Sequence, residues 1–81
     1  MKEEDVIALL NGYIKKYPND LPFACVDEAL LLNIDKVTLC IDFIIDLFCK
    51  IGVNAQLAPS MDGILLDSCL EFLTERRENL L

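Results

Sequence analysis

Residues 37–53 read VTLCIDFIIDLFCKIGV, and this stretch restricts the fold more tightly than any other. Eleven of its first fifteen positions are apolar, and only Asp42, Asp46 and Lys50 carry charge. Thr38, Asp42, Asp46 and Lys50 recur every four residues, which on an α-helix aligns them in a single polar stripe. At about 100° per residue, Val37, Cys40, Ile41, Phe43, Ile44, Ile45, Leu47, Phe48 and Ile51 fill about 200° of the circumference, twice the apolar face an ordinary surface helix needs. A helix this broadly apolar belongs at the centre of a core. A bilayer does not suit it, because spanning takes about 20 apolar residues and each aspartate near the middle would cost about 2.5–3.5 kcal/mol. Asp46 and Lys50 form an i, i+4 pair worth about 0.2–0.5 kcal/mol, and Gly52 supplies a stop. The predicted helix runs over 36–51.

The remaining pattern predicts three more helices. Over 3–17, Val6, Leu9, Leu10, Tyr13, Ile14 and Tyr17 recur at three and four, the stripe of an amphipathic helix. Glu3, Glu4 and Asp5 at its start and Lys15 and Lys16 at its end complement the helix dipole, and Tyr17 before Pro18 marks the end. PNDLP at 18–22 has the chemistry of a turn. FACVDEALLL then predicts a short helix over 22–32, with Phe23, Val26 and Leu30 on one face and Asp27 and Glu28 on the other; Asn33 and Asp35 break it and cap the next. VNAQLA alternates weakly at 53–58 and reads as a loop on the core, since a lone strand is unstable. Ser60 is the expected N-cap of a last helix over 60–77, whose apolar half is Met61, Leu65, Leu66, Cys69, Leu70, Phe72 and Leu73. The expected fold is all-α: a small four-helix bundle, one domain over 1–81, with the hydrophobic third helix at its centre.

Composition narrows the function classes. A chain of 81 residues buries only about 60–65% of its unfolded surface, yet 54% of this one is apolar and its mean hydropathy is +0.42. Some apolar surface is therefore left to meet another chain, and a homodimer is among the expected outcomes. Fourteen acids against seven scattered bases give a net charge of −7, the wrong sign for nucleic acid or an anionic membrane and the right one for a basic partner. Histidine is missing and the four cysteines include no Cys-x-x-Cys pair, so no metal site or cofactor is expected. Cys40 and Cys49 lie nine residues apart on one helix, about 13.5 Å along its axis and on opposite faces, so they cannot bridge. The cysteines read as small hydrophobes in a reducing, cytoplasmic setting. MKEEDV opens with acids rather than a basic segment followed by an apolar one, so no secretory signal is expected.

The candidate site residues fall on two helices. Asp42 and Asp46 form a solvated face, since exposed carboxylates make poor general acids near neutral pH. Leu39 projects among these polar positions, apart from the apolar arc, and Cys49 falls beside Lys50 at the rim of a contact. Asp67, Glu71 and Glu75 form an acidic ladder at four-residue spacing, which reads first as a solvated face and alternatively as a docking face for a basic partner. No glycine-rich phosphate loop or nucleophile elbow occurs, so the chain reads as non-enzymatic.

Two layouts are familiar. The length, the acidity and a central helix beginning near residue 36 resemble acyl carrier proteins, which carry phosphopantetheine on the serine of an Asp-Ser-Leu motif at the start of that helix. Here the same place reads Asp35-Lys36-Val37, and the near match Asp67-Ser68-Cys69-Leu70 falls in the last helix. The segment VDEALLLNIDKVTLCIDFIIDLFCKIGV resembles the helix-turn-helix of winged-helix domains, and IIDLFCKIGVNA is similar to the acidic amino-terminal region of primary bacterial sigma factors. A recognition helix would offer phosphate two aspartates and one lysine, which disfavours DNA reading. The expected function is an acidic interaction module or small regulator, binding a protein partner through an apolar patch rimmed by carboxylates. The alternative is an acyl-carrier-like protein lacking the usual attachment motif.

Overall fold

The computed structural model describes residues 1–51 and 61–81, and among them the chain forms three α-helices and one 3-10 turn. They are α1 (Glu3–Lys16), α2 (Ile34–Ile51) and α3 (Met61–Leu80), with the turn Leu30–Leu32 immediately before α2. No strand occurs among the described residues. The Gly52 stop, the loop expected at 53–58 and the Ser60 cap lie outside them.

The long apolar helix is central, as its period requires. α2 supplies Val37, Cys40, Ile41, Phe43, Ile44 and Leu47 to the core, six of the fifteen buried apolar residues among those described. It packs most extensively on α3, which brings Leu66, Cys69 and Leu73, while Val6, Leu10 and Tyr13 of α1 and Val26, Leu30 and Leu31 complete the interior. The buried arc of α2 is narrower than its apolar arc. Ile45 at one margin is 49% exposed and its neighbour Phe48 is half-buried. No polar or charged side chain is buried among the described residues.

The second predicted helix does not form. Residues 22–29 are irregular, and only the single turn Leu30–Leu32 is helical, so the four-helix bundle is corrected to three helices and the helix-turn-helix layout lacks its first helix. The physical reason is competition for backbone groups. Asn11 of α1 accepts a hydrogen bond from the Val26 N–H at 2.7 Å and donates to the Val26 carbonyl at 3.1 Å, so both backbone groups of Val26 are taken by a side chain. One residue later, Asp27 accepts from the Leu30 N–H at 2.7 Å, which sets the start of the turn at Asp27 rather than at Pro22. Asn33 then donates its N–H to the Leu30 carbonyl and caps α2 with its side chain, accepting from the Asp35 and Lys36 N–H groups at 3.0 and 3.2 Å.

Asn19 locks the exit of α1. Its amide donates to the carbonyls of Ile14 and Tyr17 and its oxygen accepts from the Leu21 N–H at 2.9 Å, holding 18–21 as a tight turn over α2. α3 runs three residues past the expected end at 77, to Leu80. Arg76, near the end of α3, acts as a tie: it donates to the Leu31 carbonyl at 3.2 Å and to the Glu3 carboxylate at 2.7 Å, with its guanidinium 5.4 Å from the Phe72 ring centre.

Candidate functional site: an acid-rimmed groove on α2

The polar stripe of α2 does not face open water along its whole length. The turn at 18–21 lies beside it, and between the two runs an open depression of about 470 Å³ lined by Pro18, Asn19, Asp20 and Leu21 on one wall and Leu39, Asp42, Phe43, Asp46 and Lys50 on the other. Its floor is apolar. Phe43 is buried, and Leu21 and Leu39 are half-buried, because Leu39 stands one turn before Phe43 and about 40° around the helix from it. Leu39 is therefore the outer margin of the apolar surface, extended by Leu21 from the turn, rather than an isolated leucine among charges.

The rim is acidic. Asp20, Asp42 and Asp46 are all exposed. Lys50 donates to the Pro18 carbonyl at 2.9 Å and pairs with Asp46 at 3.0 Å, which ties the end of α2 to the turn. Both partners are about half exposed, so the pair itself contributes about 0–1 kcal/mol. Its greater effect is to occupy the single ammonium of the groove, leaving Asp20 and Asp42 without an ion-pair partner among the described residues.

The structure brings together Leu39, Asp42, Asp46 and Lys50 and leaves the other candidates elsewhere. Cys49 is exposed and does not line the groove. Asp67, Glu71 and Glu75 are exposed on α3 and border a separate depression of about 360 Å³ with Leu70, Thr74 and Glu78. Glu78 extends the acidic ladder and escaped the sequence reading because the helix was expected to end at 77; its spacing of seven from Glu71 is the signal that identifies it. Pro18, Asn19, Asp20 and Leu21 were also missed as site residues, since a turn composition says nothing about which helix the turn lies against.

The remaining chemistry is sparse. Cys40 and Cys69 are fully buried, and burial pushes their thiols up to about 11 and about 12, Cys69 further raised by the proximity of Cys40. Among the described residues no three His, Cys, Asp or Glu side chains are placed to hold a metal ion, and no helix is long and apolar enough to cross a membrane. Ser68, the serine of the near-match carrier motif, lies half-buried inside α3 with Cys69 wholly buried beside it. Asp35 and Lys36, where carriers hold their motif, are exposed in the first turn of α2. No protein-family model, curated protein or solved structure significantly matches this chain.

Proposed function

We propose that this protein is a non-enzymatic acidic interaction module, a small regulator that binds a protein partner through the groove between α2 and the turn at 18–21. One observation carries the reading: an apolar floor of Leu21, Leu39 and Phe43 bordered by three exposed aspartates. Apolar area supplies attraction once covered, while the carboxylates select the partner's charge and steer its approach. The net charge of −7 extends that steering to the whole molecule. Self-association, where it occurs, uses apolar surface outside this groove, because two acidic rims repel.

The test is capture of a partner from the native host on immobilised protein, comparing the natural chain with Leu39→Gln and with Asp42→Lys. Both positions lie at the surface of α2, so circular dichroism should show unchanged helicity. A partner retained by the natural chain and lost with both variants supports the groove. Retention by both variants, or loss only when Asp67, Glu71 and Glu75 are all changed to lysine, moves the site to α3 and overturns it.

A further inference from the structure

The groove also defines the chemistry of what fills it. Asp42 and Asp46 stand one helical turn apart, about 6 Å along α2, and Asp20 faces them from the turn. Three carboxylates meet one ammonium there, and that ammonium is already held by Asp46 and the Pro18 carbonyl. An uncharged apolar occupant would cover Asp42 and Asp20 without compensation, at a desolvation cost. An anionic occupant, nucleic acid included, would be repelled by the rim and by the field of the molecule. A second copy of this chain brings its own charge of −7 to the same place. A purely cationic occupant leaves Leu21, Leu39 and Phe43 uncovered.

Only a segment with both characters satisfies floor and rim together. We propose that the groove binds a basic, amphipathic peptide segment of a partner protein, with an aliphatic side chain seated on Leu21, Leu39 and Phe43 and flanking lysines or arginines on Asp42 and Asp20. Resting on the interaction-module reading above, it adds the identity of the contact: charge selects the segment, and the aliphatic anchor fixes its register. Mutual selection of this kind has a signature that acidity alone lacks. Binding should weaken with salt, as exposed ion pairs do, yet it should also depend on one apolar side chain that salt does not screen.

The probe is a fluorescein-labelled peptide, Gly-Lys-Lys-Leu-Lys-Lys-Gly, titrated into the full chain at low salt and followed by anisotropy and by amide NMR shifts. The expected result is movement of the Leu21, Leu39, Asp42, Phe43 and Lys50 amides, and binding about tenfold weaker when the peptide's leucine is replaced by serine, the loss expected for one exposed aliphatic anchor. Asp42→Asn, which keeps the side chain's shape, should also weaken the leucine peptide severalfold with unchanged helicity. Shifts confined to Asp67, Glu71, Glu75 and Glu78, equal binding of the serine peptide or of spermidine, or no binding at low salt would each overturn the proposal. Failure here with continued groove-dependent capture from the host leaves the module reading standing and rejects only the basic occupant; loss of both rejects the module.

Discussion

Adjacent residues on α1 illustrate how differently single side chains bear on this fold. Asn11 gives both ends of its amide to the backbone of Val26, whereas Gly12 beside it is exposed, with nothing within 4 Å of where a Cβ would stand. Asn11→Ala leaves the Val26 N–H and carbonyl without their partners in a partly buried place and should destabilise by about 1–3 kcal/mol in urea unfolding. Gly12→Ala should stabilise by roughly 0.5–1 kcal/mol in the same experiment, because the helix gains propensity and meets no obstacle. Neither the clasp nor the cover over Leu39 was legible in the sequence. Helical spacing locates a side chain on its own helix, and it correctly placed Asp42, Asp46 and Lys50 on one stripe; it carries no information about a partner fifteen positions away or a turn folded back from residue 21. The cysteines sort in the same way. Cys25 and Cys49 are exposed and should react promptly with a disulfide reagent at pH 8, while Cys40 and Cys69 should react only on unfolding. Unfolded thiols lose their protons near 9, but the buried pair holds them to about 11 and about 12. The unfolded state therefore binds fewer protons in that window, so the stability these thiols contribute is intact below pH 9 and lost as pH climbs from about 9 to about 12. Replacing both by alanine should flatten the alkaline fall in urea midpoint relative to the natural chain, and an unchanged slope would contradict the assignment.

The elements divide into those fixed by their own period and those decided by competition. α1, α2 and α3 each repeat apolar residues at three and four over several turns, and their bounds fall within a few residues of the expected ones. The segment 22–32 repeats the same spacing through Phe23, Val26 and Leu30 for too short a distance to nucleate a helix against rivals. The Asn11 clasp at Val26 and the Asp27 side chain on the Leu30 N–H take the backbone groups such a helix would need. What survives is a turn that delivers Leu30 and Leu31 to the core and hands the chain to Asn33. That residue now closes the turn and opens α2, so the start of the central helix depends on one side chain. Asn33→Ala should cost about 1 kcal/mol, with a range of about 0.5–2. In a domain of this size each kcal/mol lowers the melting temperature by about 4–8 °C, which a thermal scan resolves readily. Asn33→Asp or Asn33→Ser should recover most of the loss, since either oxygen accepts from the same N–H groups; failure of both to do so would show that Asn33 acts through something other than the cap.

For the molecule as a whole, the question left by composition is where the apolar excess goes. The interior takes a sector of α2 from Phe43 round to Ile41, and the apolar arc continues past it on the outside. Ile45 lies there at 49% exposure, with exposed Cys49 about 40° further round and half-buried Phe48 one turn along on the core side. Ile45 stands about 100° round α2 from Asp46 at the centre of the groove, on the flank beyond Asp42, so a self-contact centred on Ile45 leaves the groove's apolar floor open. Self-association and partner binding should also respond oppositely to salt. A net charge of −7 on each copy opposes association at low ionic strength, and raising salt from 0.1 to 1 M shortens the screening length from about 10 to about 3 Å while leaving apolar attraction intact. Light scattering coupled to size exclusion should therefore show a mass that rises with protein concentration and rises further with salt, whereas capture of a basic partner should fall. Ile45→Gln, which removes apolar area without changing charge, should return the protein to a monomer at high salt and leave the groove's behaviour unchanged. A strict monomer at high concentration in 1 M salt would mean that the exposed margin of α2 is simply tolerated in water, and that the apolar excess of this chain does not extend to a second copy.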